Sequence, residues 1–311
     1  MGRYVLGRCR QAVPVLLGVT LITFLLTHVA LGDPVRAMMG QRADPEMVAR
    51  IRAEYGLDEP LWKRYALYMG KLLIGDLGYS YRQGRPVSHA LAERLPATVR
   101  LAVAAMVVAV VLGMAAGTVA AVRHNTSWDL LMMTCSLLGI STPVFWLGMM
   151  LILLFGAWLG WFPISGYGDG AFGHLVLPAL TLGTLQAGYI ARMTRSALLE
   201  ILRQEYLRTA RAKGLKEHVV VLKHGLRNGI LPILTLVGIG LGDLLVGAPL
   251  TETVFAWPGL GRLLVAAVGN RDLPVVLGAT LLFALIYLGA NLVVDLAYAL
   301  ADPRVRLVER Q

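Results

Sequence analysis

The chain has 311 residues, 57% of them hydrophobic and only 15% charged, with a net charge of +10 and a mean hydropathy of +0.64. That apolar share exceeds what a soluble domain carries, so a membrane is its solvent. Nucleic-acid binding is set aside as the reason for the positive charge, because the basic residues gather at the ends of apolar runs, as membrane orientation requires. Cys9 and Cys135 share no metal-ligand spacing and fall in or beside apolar segments, where a thiol behaves as a small hydrophobe.

About 20 apolar residues cross the hydrocarbon core as a helix. The first such run, Gln11 to Leu31, follows Arg3, Arg8 and Arg10 and lacks a small-x-small cleavage site before Gly32-Asp33-Pro34, so it reads as an uncleaved anchor. Further spans are expected at Thr98 to Val122, Leu131 to Leu159, Leu175 to Thr194, Leu231 to Phe255 and Val275 to Leu300, making an all-α integral membrane protein of six transmembrane helices. With six alternating spans, Arg123, the run from Arg192 to Arg227, and Arg304, Arg306 and Arg310 share the side of the N-terminal arginines. That side is the cytoplasm, with both termini on it. The stretch from Gly32 to Ala97 is then extracytoplasmic and helical, one helix opening at Pro45 after Asp44 and another around Asp58-Glu59-Pro60-Leu61-Trp62.

Breaks and charges inside the spans are informative, since hydrocarbon offers no water to a freed backbone group. Pro143, after Ser141 and Thr142, interrupts the third span and places these three beside a pathway or at a packing kink. Gly113 and Gly117, and Gly238 and Gly242, are spaced for close helix packing. Asp295, four residues after Asn291 on one helix face, is read as an interhelical hydrogen-bond partner. Asp243 is kept as a pathway residue. His28 and His174 are too isolated to form a metal site, and no metal site is expected.

Between spans four and five lies the most distinctive stretch, Glu205, Tyr206, Leu207, Arg208, Thr209, Ala210, Arg211, Ala212, Lys213, Gly214 and Leu215, continuing through Leu226 to Pro232. It reads as two short helices hinged at Gly214. Its alternating basic and small residues suit either a solvated positive-inside loop or a surface docking against carboxylates.

This loop resembles the ATPase-coupling loop of bacterial ABC-importer permeases. That family's general pattern is an acidic-Ala-Ala triplet, a later Gly, and then Ile-x-Leu-Pro. Here Ala210, Gly214 and Leu226 keep it, while Arg208, Thr209, His224 and Arg227 depart from it. The departures match the dipeptide, oligopeptide and nickel branch, whose wording Tyr-x-Arg-Thr-Ala-Arg-Ala-Lys-Gly is present throughout Tyr206 to Gly214. Gly75-Asp76-Leu77-Gly78, Arg192-Met193-Thr194-Arg195-Ser196, the run from Thr251 to Gly261, and Arg271-Asp272-Leu273-Pro274 also resemble family hallmarks.

The resemblance implies the type I importer (MetI-like) permease fold in a bacterial inner membrane. Its organisation would be a cytoplasmic tip and first helix (1–31), an extracytoplasmic helical insertion (32–97), a core permease domain (98–303) with the coupling loop at 195–230, and a cytoplasmic tail (304–311). Implied partners are a homologous second permease forming a heterodimer, one or two cytoplasmic ATPase subunits, a periplasmic solute-binding protein and the lipid bilayer. Thr251, Glu252, Phe255, Trp257, Pro258 and Gly259 would form an outer scoop touching the binding protein or capping the cavity. No Gly-x4-Gly-Lys-Ser/Thr loop occurs, and Gly70-Lys71 is followed by Leu72, so no catalytic site or cofactor is expected here and ATP with magnesium belongs to the partners. Dipeptides or oligopeptides are the expected cargo, with nickel or metallophore complexes and glutathione as alternatives. A proton-coupled secondary transporter built on Asp243 and Asp295 is the rival from another class.

Overall fold

The computed structural model describes residues 2–30, 46, 49, 52–53, 58–246 and 248–301. The helix expected at Pro45, the Gly32-Asp33-Pro34 turn, the 304–311 tail and the side chains of Asp295 and His28 lie outside this description. Among the described residues, three helices are long and apolar enough to cross a membrane, spanning Leu6–Leu26, Val87–Val122 and Leu273–Val294. Two bent pairs add Ser127–Ser141 with Val144–Trp158, at 107°, and Glu217–Ile230 with Pro232–Val246, at 58°. The remaining expected span coincides with helix Phe172–Ile201.

We number the helices α1 (Gly2–Ala30), α2 (Leu61–Leu73), α3 (Val87–Val122), α4 (Ser127–Ser141), α5 (Val144–Leu151, prolonged by a π-helical stretch Ile152–Trp158) and α6 (Phe172–Ile201). Then follow α7 (Glu205–Ala212), α8 (Glu217–Val219, prolonged by a π-helical stretch Val220–Leu226), α9 (Arg227–Val246), α10 (Pro249–Val254), α11 (Leu260–Gly269) and α12 (Leu273–Ala301). A hairpin of β1 (Tyr79–Ser80) and β2 (Arg85–Pro86) precedes α3. Two sequence boundaries change. Helix α3 begins at Val87 rather than Thr98; its 36 residues span about 54 Å at 1.5 Å per residue, well beyond a hydrocarbon core of about 30 Å. The fifth span, expected to run unbroken to Phe255, ends at Val246, and α10 restarts with Pro249 in its first turn, where a missing N–H costs nothing.

The described chain divides into two compact units, residues 1–98 with 258–292, and 99–257 with 293–311. In the first, Tyr65 and Tyr68 of α2 pack on Phe24 of α1 at centroid distances of 5.4 and 5.9 Å, and the Tyr65 hydroxyl lies 3.0 Å from Thr20 Oγ1. Burial pushes the Tyr68 hydroxyl up to about 12. Thr98 Oγ1 accepts the Leu260 N–H at 2.8 Å, giving the start of α11 a side-chain partner. Buried Ser80 in the hairpin donates to Asp272 Oδ2 at 2.5 Å. Asp272 caps α12: its carbonyl accepts the Val276 N–H at 3.0 Å while its side chain reaches back to the hairpin.

In the second unit, α3 and α6 approach at glycines. A Cβ on Gly113 would come within 2.7 Å of the Ala187 carbonyl, and one on Gly183 within 2.7 Å of the Ala105 carbonyl. Gly188 meets the Ser136 carbonyl of α4 in the same way, at 2.6 Å. Lipid gives helices no hydrophobic reason to associate, so such close backbone approach supplies the packing.

Burial is the main influence on Asp272 and raises its carboxyl above the ordinary 3.8, against smaller lowering contributions from Ser80, the Val275 N–H, Arg82 and Gln83. The folded state holds this proton more tightly than the unfolded chain, so this residue's contribution to stability grows as pH falls through the raised value and levels off below the ordinary one. Asp272→Asn keeps a capping oxygen and removes the charge. Thermal unfolding in detergent should then lose part of its stabilisation between neutral pH and about pH 4, with a neutral-pH midpoint no lower than the parent's. Full retention of the acid stabilisation would assign it to another group.

Candidate functional site

The loop after α6 is built on a small apolar cluster. Leu207 and Ala210, three residues apart on α7, are buried against Ile201 and Val220. This face fixes the opposite one outward, leaving Arg208, Thr209, Arg211, Ala212, Lys213 and Leu215 exposed. Helix α7 ends in a Schellman motif: the Gly214 N–H bonds the Arg211 carbonyl at 2.9 Å and the Leu215 N–H the Ala210 carbonyl at 3.4 Å. Gly214 sits at φ +81°, and a Cβ there would meet nothing within 4 Å, so the backbone conformation alone calls for glycine.

Past the hinge, Arg211 pairs with Glu217 through two bonds, Nε to Oε2 at 3.1 Å and a terminal nitrogen to Oε1 at 2.8 Å, tying α8 to α7. Tyr206 accepts from Asn228 Nδ2 at 2.8 Å, which also donates to the His224 carbonyl at 3.1 Å. Exposed Glu205 opens α7, and half-buried Leu226 closes the π-helical stretch. Gly225 and Gly229 bring this arm against Leu198 and Ile201 of α6. The sequence-selected residues of this loop therefore form one unit seated on the C-terminal end of α6.

Sequence reasoning missed the residue that anchors that end. Asp129, in the first turn of α4 and buried, accepts from Arg195 of α6 at 2.7 and 2.8 Å and from the Asn125 N–H at 3.0 Å. His124 lies 3.2 Å from the same carboxylate. An acid in the first turn of an apolar helix reads as an ordinary N-terminal charge; only the fold brings it to Arg195.

Helix α4 stops at Ser141, Thr142 turns extended at ψ 128°, and α5 restarts after Pro143. Thr142 Oγ1 bonds the Leu138 carbonyl at 2.7 Å, a second bond to the oxygen that already accepts the Thr142 N–H at 3.0 Å. Beside this break, α5, α6 and α9 enclose a cavity of about 440 Å³. Asp243 lines it together with Val144, Gln186 and Tyr189; Ser141, Thr142 and Pro143 do not. Of the four pathway candidates, Asp243 alone is among the residues lining this cavity.

The side chains named for an outer scoop are mostly buried within the chain. Thr251, Glu252, Phe255 and Trp257 are at most 2% exposed, Gly259 is buried and Pro258 half-buried. Large aromatic side chains gain most by leaving water, and these pack inside the chain. Phe255 lies against Gly148 of α5, Trp257 meets the edge of Tyr167 at 4.8 Å, and the Gly166 N–H bonds the Phe255 carbonyl at 2.8 Å. Leu250 and Thr253 are the exposed members of α10. The Trp257 ring and the Phe255 carbonyl thereby hold the 160–171 loop at Tyr167 and Gly166.

A family model described as "Binding-protein-dependent transport system inner membrane component" matches residues 109–307, and its N-terminal companion matches residues 1–102. The chain belongs to this family, whose members are transport components of the membrane rather than enzymes. Its relatives include a di/tripeptide transport system permease of Pseudomonas aeruginosa, 44% identical over 97% of this chain and 98% of that protein. A glutathione transport system permease of Escherichia coli O6:H1 is 45% identical over 98% and 99%, and a dipeptide permease of Escherichia coli K12 is 41% identical over 98% and 99%. The fold is that of an inward-facing methionine ABC transporter chain, with a TM-score of 0.53 at 20% identity over 67% of this chain and 96% of that one.

Replacing Asp129 by Ala strands Arg195 without its carboxylate. The Arg195 side chain is 26% exposed, so losing the carboxylate should cost about 1–3 kcal/mol, and the thermal midpoint in detergent should fall accordingly. A midpoint within experimental error of the parent's would show that the pair does not hold α4 to α6.

Proposed function

We propose that this chain is one of two permease subunits of an ATP-driven peptide importer, paired in the inner membrane with a homologous permease, served by one or two cytoplasmic ATPase subunits and supplied by a periplasmic binding protein. What carries this reading is near-full-length similarity to permeases named for dipeptides, di/tripeptides and glutathione. Glutathione is itself a tripeptide, so these names share one chemistry: short peptides. The positive-inside distribution supports cytoplasmic N- and C-termini.

The loop geometry supports a coupling role. Arg211 is engaged by Glu217 within the chain, whereas Arg208 projects into solvent beside the small residue Ala212. Arg208 is then the side chain for a carboxylate on an ATPase, and the Arg211–Glu217 pair keeps the loop rigid enough to transmit force to α6 and α9. Closure of the ATPases would move this unit, the break at Thr142-Pro143 and the bend at Pro232 would absorb the motion, and the cavity would change the side it opens to. The organisation into an anchor (1–31), an extracytoplasmic insertion (32–97), a core (98–303) and a tail (304–311) belongs to this proposal.

Reconstituted with its partners, the importer should show ATPase activity stimulated by peptide-loaded binding protein. Arg208→Glu should cut that stimulation about tenfold at low salt, and less at high salt, because exposed charge pairs are screened. Gly214→Val should cost about 1 kcal/mol of loop stability and reduce coupling while leaving the subunit in the membrane. Peptide uptake by this chain alone under a proton gradient would replace the ATP-driven reading with the secondary-transporter one.

A further inference from the structure

The cavity beside the α4–α5 break contains, besides the Tyr189 hydroxyl, two polar side chains that the described residues leave unanswered. On α9, Leu236, Ile239, Gly240, Asp243 and Leu244 lie on one helical face and line it; on α6, Leu182, Leu185, Gln186 and Tyr189 do the same. Asp243 is exposed to this space, and Gln186 is 9% exposed. Among the described residues, no hydrogen bond or ion pair reaches either side chain, and no Lys, Arg or His lines the cavity. A carboxylate at membrane depth without a cation is expensive, and such residues mark the path of what crosses.

The geometry points to this cavity as a subsite for the charged amino terminus of a transported peptide, with Asp243 receiving the α-ammonium and Gln186 the first peptide group. This rests on the peptide-importer reading above. An ammonium offers three donors and no acceptor, the complement of an ionised carboxylate that only accepts. A carboxamide carries both a donor and an acceptor, which is the pattern of a peptide bond. Val144, Leu182, Leu236 and Ile239 form apolar walls that make no hydrogen-bonding demand, so they tolerate many side chains while the two polar groups read only what all free peptides share. The cavity of about 440 Å³ lies within the range of roughly 300–1,000 Å³ for small-ligand sites. Gly240 belongs to the device: a Cβ there would stand 3.0 Å from Gln186 Oε1 and 3.2 Å from the Met106 methyl. That is close enough to displace the amide.

The test uses the assembled importer in nanodiscs, without its binding protein, so that only the permease selects. Binding of radiolabelled dialanine is measured in competition with unlabelled dialanine and with N-acetyl-dialanine. The parent should prefer the free amine about tenfold, the 1.4 kcal/mol of a single charge-assisted contact. Asp243→Asn should abolish that preference, Asp243→Glu should restore part of it, and Gly240→Ala should weaken both ligands together. An unchanged preference in Asp243→Asn overturns the proposal. So does loss of the second permease from the Asp243→Asn assembly, which would make Asp243 a partner for a base on that subunit. Failure of the underlying reading looks different: with binding protein restored, the parent's ATPase would not respond to peptide at all, and both proposals would fall.

Discussion

Everything in the second unit depends on how closely α6 can be approached. Gly183 and Gly188 on its own surface, and Gly113 on α3, remove the side chains that would hold the helix axes apart. In a lipid solvent the reward for association is van der Waals packing and hydrogen bonding rather than the escape of apolar surface from water. A methyl group at any of these positions would collide with a backbone carbonyl, which cannot rotate away. The glycines therefore set the spacing of α3, α4 and α6, and that spacing sets where Asp129 meets Arg195 and where Gln186 meets the α9 face.

The same helix carries two different kinds of surface at its two ends. Near Arg195 and Ile201 it is tied by an ion pair to α4 and by apolar packing to the loop beyond. Around Leu182 to Tyr189 it lines a cavity whose other walls begin just after a helix break. A rigid, well-anchored segment joined to a broken one is the arrangement in which a push at one end becomes a change of shape at the other, because the breaks take up the rotation and the packed stretch does not. The Schellman turn at Gly214 and the Arg211–Glu217 pair make the loop a solid piece rather than a flexible tether, a requirement for transmitting displacement in the proposed coupling.

Sequence pattern revealed the features that leave local chemical marks. Apolar runs long enough to span, Pro143 as a break and Gly214 as a hinge could all be read from residue type, because backbone conformation at proline and glycine is a local matter. Basic residues at the ends of runs are what the proposed orientation rests on. The features it missed depend on pairing across distance. Asp129 and Arg195 are separated by the whole of α4, α5 and the following loop. Ser80 and Asp272 lie even further apart in sequence. The interior placement of Glu252 and Trp257 could not be read from a segment rich in glycine and proline, where burial follows no period. Gln186 was legible in principle: with Leu182, Leu185 and Tyr189 it repeats at three and four residues, and a polar residue on an otherwise apolar helical face is itself a signal.

The α9 face shows why the cavity needs both a charge and a glycine. A permease site has to bind well enough to accept solute and weakly enough to release it, so a deep, fully satisfied pocket would be a trap. Asp243 is exposed to the cavity, where water can solvate the carboxylate between turnovers and soften the desolvation penalty that a closed site would impose. Gln186 is more deeply placed and rests against Gly240, so its amide is held by packing rather than by a competing hydrogen bond. One solvated charge and one positioned amide, on walls that ask nothing of a side chain, favour a common backbone over any particular sequence. Such a site suits a subunit that passes on cargo already chosen elsewhere, and the finer selection then belongs to the protein that delivers it.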